Sequence, residues 1–132
     1  INVEKIKDKI NKKLIPVISP LGLDDNNQAY NINGDNAAGA IAKSLKSRRL
    51  LLMTNVEGVL DKNKKLIHEI SSSKIIDMIK DGTITEGMIP KINTCLDAIN
   101  NGVTAAAIID GRKKHSVLFE IFSDKGSGTL IR

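Results

Sequence analysis

Leu50-Leu51-Leu52-Met53-Thr54 is an unbroken apolar run that closes on a hydroxyl. It lacks the alternation of a half-exposed strand and reads as a central parallel strand covered on both faces. Val103 to Ile109 repeats that pattern farther along the chain. Between the two, apolar residues recur at helical spacing: Ile75, Ile76 and Ile79 after Ser71-Ser72-Ser73, then Ile89, Ile92, Leu96 and Ile99 up to Asn101-Gly102. Upstream, Ala38, Ile41, Ala42 and Leu45 do the same, with Asp35 or Asn36 able to cap the helix start. Strands alternating with helices in this way predict an α/β domain with a largely parallel sheet.

Farther out, Val3, Ile6 and Ile10 give a first amphipathic helix with a lysine-rich face. Leu14 to Ile18, ending in Ser19-Pro20, reads as a short buried strand. Asp24 to Asn27 reads as a loop or hairpin tip before a short strand at Tyr30 to Ile32. Leu66 to Ile70 follows a loop at Gly58. His115 to Phe122 is expected as a short helix and Gly128 to Ile131 as a final strand. At 132 residues and 41% hydrophobic, the sequence suits a single domain, 1–132, around one core. It opens with Ile1 inside a helical pattern, as expected of part of a longer protein.

Composition narrows the function. The net charge of +5 comes mainly from lysines scattered over the chain and favours anionic ligands. With 2% aromatic residues there is little for bases to stack on, so nucleic acid is not an expected partner. The single Cys95 excludes an internal disulfide, no run approaches the ~20 apolar residues of a membrane span, and no secretory leader is evident. The expectation is a cytoplasmic chain with no membrane partner. Its 2 His and 1 Cys stand at unrelated spacing and predict no metal site.

In open parallel sheets, ligands bind at the carboxyl ends of the strands, and the polar motifs here fall in strand-to-helix loops. Asn31-Ile32-Asn33-Gly34-Asp35 serves as a tight turn with a helix cap on one reading. On the other, Asn31, Asn33, Asp35 and Asn36 are more polar groups than one cap needs. Asn31 and Asn33, two apart on a strand, would present amides to a carboxylate or phosphate. In Gly87-Met88-Ile89-Pro90-Lys91, Pro90 suits a first helical turn. Lys91 then stands near the positive end of a helix dipole, which is unfavourable unless an anion faces it. A solvated surface lysine is the alternative. A carboxylate and an ammonium, each aimed past a helix N-terminus, suit phosphoryl transfer, where catalysis is mostly positioning and charge neutralisation. Thr54 to Leu60 leaves the most apolar strand, either as an ordinary exit or with its N–H groups toward a nucleotide. The stretch from Asp110-Gly111-Arg112 through His115 and Glu120 to Thr129 has no nucleophile elbow and makes no hydrolytic triad.

Taken in order, Ile15 to Pro20, Tyr30 to Asp35 with the alanine-rich helix after it, Leu52 to Leu60, Gly87 to Lys91 and Ile108 to Thr129 resemble the C-terminal half of the N-acetyl-L-glutamate kinases, members of the amino-acid kinase family. The resemblance covers essentially the whole chain. It implies an open α/β/α sandwich and phosphoryl transfer from ATP, accompanied by Mg²⁺, to N-acetyl-L-glutamate, the second step of arginine synthesis. By that resemblance, Lys91 stabilises the transition state and Asp35 organises the catalytic lysines. Asn31 and Asn33 belong to the N-acetylglutamate side. Thr54, Asn55, Val56, Glu57, Gly58, Val59 and Leu60, with Thr83, Ile84, Thr85 and Met88, contact the nucleotide. Glu120 and Gly126 match effector positions of arginine-inhibited members.

Asn55 stands where the family usually carries Asp, and Ala107 where arginine-inhibited members carry His. The family's Lys-x-Gly-Gly motif, second glycine-rich turn and substrate-binding Arg have no counterpart in these residues. The expectation is therefore weak ATP binding without turnover by this chain alone. Homo-oligomerisation is compatible with the resemblance. So are two other functions, a sibling kinase of the aminoadipate type and a non-catalytic nucleotide- or arginine-binding regulatory module.

Overall fold

The computed structural model describes residues 1–132. The elements follow as α1 (Val3–Asn11), β1 (Leu21–Leu23), β2 (Ala29–Asn31), α2 (Gly34–Leu45), β3 (Arg49–Thr54), β4 (Glu69–Ile70), α3 (Ser72–Lys80), α4 (Ile89–Asn100), β5 (Ala105–Asp110), α5 (Ser116–Phe122) and β6 (Thr129–Ile131). Four strands form one sheet in the order β3-β5-β6-β4, and β1 pairs with β2 in a separate hairpin. In the sheet, β3 with β5 and β4 with β6 run parallel, while β5 and β6 are antiparallel.

The register assigns the two faces. Leu50 lies beside Ala106, Leu52 beside Ile108, and Ala106 beside Ile131, so these residues share one face. That face packs with Ala42 of α2, Ile75 and Met78 of α3, and Ile92, Cys95 and Ala98 of α4 in a single hydrophobic core. A fully buried isoleucine such as Ile92 or Ile108 is worth roughly 2–5 kcal/mol against truncation to Ala. The opposite face carries Ala105, Ala107 and Ile109, also buried, and α5 lies against β5 there. Three layers result, helices on both sides of an open and mostly parallel sheet.

Three local expectations need correction. Leu14 to Ile18 is not a strand: Ile15 and Val17 are 90% and 96% exposed. An apolar run becomes a strand only where a neighbour supplies the hydrogen-bond ladder, and no strand of the chain pairs with this one. The run Leu50 to Thr54 does form β3, but at an edge of the sheet; the strand buried throughout is β5. Finally, α2 is capped by Asn33, ahead of both Asp35 and Asn36. Its side-chain oxygen accepts from the N–H groups of Asp35 and Asn36 at 3.0 and 3.2 Å. Closely spaced polar candidates left that choice open in the sequence. The hairpin tip is as expected, with Asp24 Oδ1 accepting from the N–H groups of Asn26 and Gln28.

Candidate active site

Asp35 lies in the first turn of α2 and Lys91 in the first turn of α4. The two helices pack together through Gly39, where an added Cβ would stand 2.7 Å from Thr94 Cγ2. That close approach brings Lys91 Nζ to within 2.6 Å of Asp35 Oδ2, with 24% and 27% of the two side chains exposed. Pro90 occupies the first turn of α4, and Met88 before it offers no side-chain cap. Lys91 therefore faces the positive end of an uncapped dipole, and Asp35 supplies the anion this position requires. Beneath the pair lies Cys95. Its burial pushes the thiol up to about 12, with the Asp35 charge adding to that and Lys91 opposing it.

Beside α4 opens a cleft of about 580 Å³. One wall is Val56, Gly58, Val59 and Leu60, continuing into Asp61, Lys62 and Lys64; the other is Asp81, Gly82, Thr83, Ile84, Thr85 and Met88. Two segments well separated in sequence, both assigned to a nucleotide by resemblance, thus share one cavity. Thr54, Asn55 and Glu57 lie outside its lining. Thr54 Oγ1 donates to Asn55 Oδ1 at 3.4 Å, and Glu57 pairs with Lys113 at 2.8 Å. The first wall is held by buried Thr129, whose hydroxyl accepts from Val59 N–H at 2.8 Å and donates to the Ile67 carbonyl at 2.6 Å. Sequence reasoning did not single out Asp61, Lys62, Lys64, Asp81 and Gly82 as ligand groups. The only signals were a helix-ending Asp-Gly and a lysine-rich turn, both ordinary surface features.

Asn31 ends β2 in an exposed position, while Asn33 spends its oxygen on the α2 cap. At the far end of β5, Arg112 holds Asp110 through its Nε and Nη2 at 3.0 and 2.9 Å and its own N–H, which keeps that carboxyl down at about 2. Gly111 N–H donates to the Thr54 carbonyl, so the β3 and β5 ends are tied together. No group of three or more His, Cys, Asp or Glu side chains converges anywhere in the structure.

Glu120 and Gly126 meet in a second recess of about 320 Å³. Gly126 has φ +65°, and a Cβ there would stand 2.6 Å from Glu120 Oε2, so the turn admits only glycine without strain. Glu120 is buried and engaged: Oε2 accepts from Ser127 N–H at 2.9 Å, and Arg49 Nη1 reaches Oε1 at 3.5 Å and the Glu120 carbonyl at 3.1 Å. A guanidinium ligand seeking this carboxylate meets Arg49 already there.

The profile of the amino acid kinase family matches residues 1–110. The chain belongs to the amino acid kinase family. Among amino acid kinases, the acetylglutamate kinase of Pelagibacter ubique is 58% identical over 132 residues, 100% of this chain and 46% of that protein. The chain thus spans less than half the length of this relative. Among solved structures, smu.665 from Streptococcus mutans UA159 aligns with a TM-score of 0.79 at 34% identity over 99% of this chain and 48% of that one. N-acetylglutamate synthase from Neisseria gonorrhoeae, complexed with coenzyme A and L-arginine, aligns with a TM-score of 0.91 at 22% identity over 98% of this chain and 30% of that one, a likeness of fold. An amino acid kinase fold therefore carries both the Lys91–Asp35 pair and the cleft that Met88 lines at the start of α4.

Proposed function

We propose that this chain forms the nucleotide side of an acetylglutamate kinase, transferring the γ-phosphoryl group of ATP to the side-chain carboxylate of N-acetyl-L-glutamate. The observation that carries the reading is the Lys91–Asp35 pair at 2.6 Å, set between two helix N-termini, with Met88 at the start of the Lys91 helix lining the 580 Å³ cleft. An acceptor carboxylate is ionised near neutrality, so the reaction needs no general base. It needs charge neutralisation as the phosphoryl group moves, which an ammonium at a helix N-terminus supplies. Asp35 fixes that ammonium's direction. The apolar wall residues Val56, Val59, Leu60, Ile84 and Met88 suit a nucleobase. Mg²⁺ would travel with the polyphosphate and offset part of its charge, in keeping with the way this ion binds mainly through phosphate and water. Asn31 is the chain's amide for the N-acetylglutamate side, with Asn33 beside it as the cap that orients Asp35.

A chimera tests this reading. Residues 1–132 would replace the matching 46% of the 58%-identical relative. The expected result is hydroxamate formation that depends on both ATP and N-acetylglutamate. A folded chimera that forms none would overturn the assignment. A non-catalytic regulatory role predicts no signal in the same assay.

A further inference from the structure

The nucleotide reading leaves the ion pair of Lys62 with Asp81 in the cleft without a role. Lys62 sits in the tight turn Asp61 to Lys65, which other groups hold together. Asp61 N–H donates to the Lys65 carbonyl and Lys64 N–H to the Asp61 carbonyl, each at 2.9 Å, while Asp61 Oδ1 accepts from the N–H groups of Asn63 and Lys65, each at 2.8 Å. The Lys62 side chain is free of that work and spans the cleft to Asp81 Oδ2 at 3.1 Å.

Asp81, on the opposite wall, is anchored. Its Oδ1 accepts from Thr83 N–H at 3.0 Å and from the Thr83 hydroxyl at 2.5 Å. Those bonds, with Lys62 beside them, hold its carboxyl down at about 2, so it stays ionised under all physiological conditions. One wall thus offers a fixed carboxylate and the other a long, solvated ammonium. The side chains are 71% and 43% exposed, and ion pairs so solvated contribute little. An ammonium held that weakly passes readily to an anion of higher charge.

We propose that Lys62 is a polyphosphate-binding residue of the cleft, held in reserve by Asp81 until the phosphates of a nucleotide take its place. The proposal rests on the nucleotide reading of the cleft. Lys62 and Lys64 are the cations of its lining, and the remaining surface is largely apolar. Hydrogen bonds from an ammonium to phosphate are charge-assisted and about twice as strong as neutral ones. Asp81 stays fixed by Thr83 after the exchange and then faces the phosphates with like charge. Lys62 therefore favours polyphosphate binding and Asp81 opposes it.

Calorimetry on the 132-residue chain with ATP and with adenosine separates the outcomes. Lys62→Met is expected to weaken ATP about tenfold and leave adenosine unchanged, with Lys62→Arg restoring most of the loss. Asp81→Asn is expected to tighten ATP about threefold, again without effect on adenosine. An unchanged ratio of ATP to adenosine affinity in Lys62→Met, or weaker ATP binding in Asp81→Asn, would overturn the proposal. Wild-type chain that binds neither ligand would overturn the nucleotide reading itself.

Discussion

Lys91 is the residue whose chemistry is most legible in the sequence. A cation in the first turn of a helix, behind a proline, sits in an unfavourable field, which is relieved either by solvent or by a nearby anion. The anion is Asp35 at 2.6 Å. In the chimera, Lys91→Ala is expected to lower kcat by roughly 10²–10³ with little change in the KM for ATP, since its interaction strengthens as charge moves. Asp35→Asn is expected to lower kcat less, because the amide keeps a contact to the ammonium while losing its charge. Equal losses in kcat and in ATP affinity for both variants would argue for a structural pair. Lys62 and Asp81 illustrate the opposite situation. Each is a solvated group in a separate loop, and only folding makes them neighbours, so no local pattern announces them.

At the scale of elements, the site depends on how closely α2 approaches α4. The contact is made at Gly39 against Thr94. Thr94 is itself tied down, its hydroxyl donating to the Pro90 carbonyl at 3.1 Å, one residue from Lys91. Gly39→Ala is therefore expected to part the helices and destabilise the chain by about 1–3 kcal/mol, measured by denaturant titration. Adding Thr94→Ser, which removes the clashing methyl, should recover most of that loss. If the double variant is no more stable than Gly39→Ala alone, the helices are not set by this contact. Periodicity locates α2 and α4 well because each buries one stripe against the sheet. It fails at Leu14 to Ile18, where apolar character signals a strand but pairing decides, and pairing is a property of distant residues.

The molecule as a whole divides along its sheet. On one face α2, α3 and α4 share the main core; on the other, α5 lies over β5. A largely parallel sheet containing β3 and β5, and the strand-loop-helix order, are readable from the apolar runs. The strand order is not, since β6 is only three residues long and its neighbours are set by tertiary packing. No helix is long and apolar enough to cross a membrane.

The position of β6 has a bearing on the order of assembly. It alone joins β5 to β4, so the segment Glu69–Ile70 has no strand partner until the chain has been made through Ile131. The α3 helix and the Asp81 to Thr85 wall follow directly from that segment. The cleft is thus expected to be among the last parts to become rigid, although its residues precede β6 in the chain. Pairing between distant residues is slow because loop closure precedes any gain. Pulse-labelled hydrogen exchange during refolding is expected to protect the β3–β5 amides before those of Ile70 and Leu130. Simultaneous protection would indicate that both halves of the sheet form in one step. If the order holds, a ligand that clamps the two walls of the cleft acts on the slow end of folding, and its addition should shorten the last phase and leave the first unchanged.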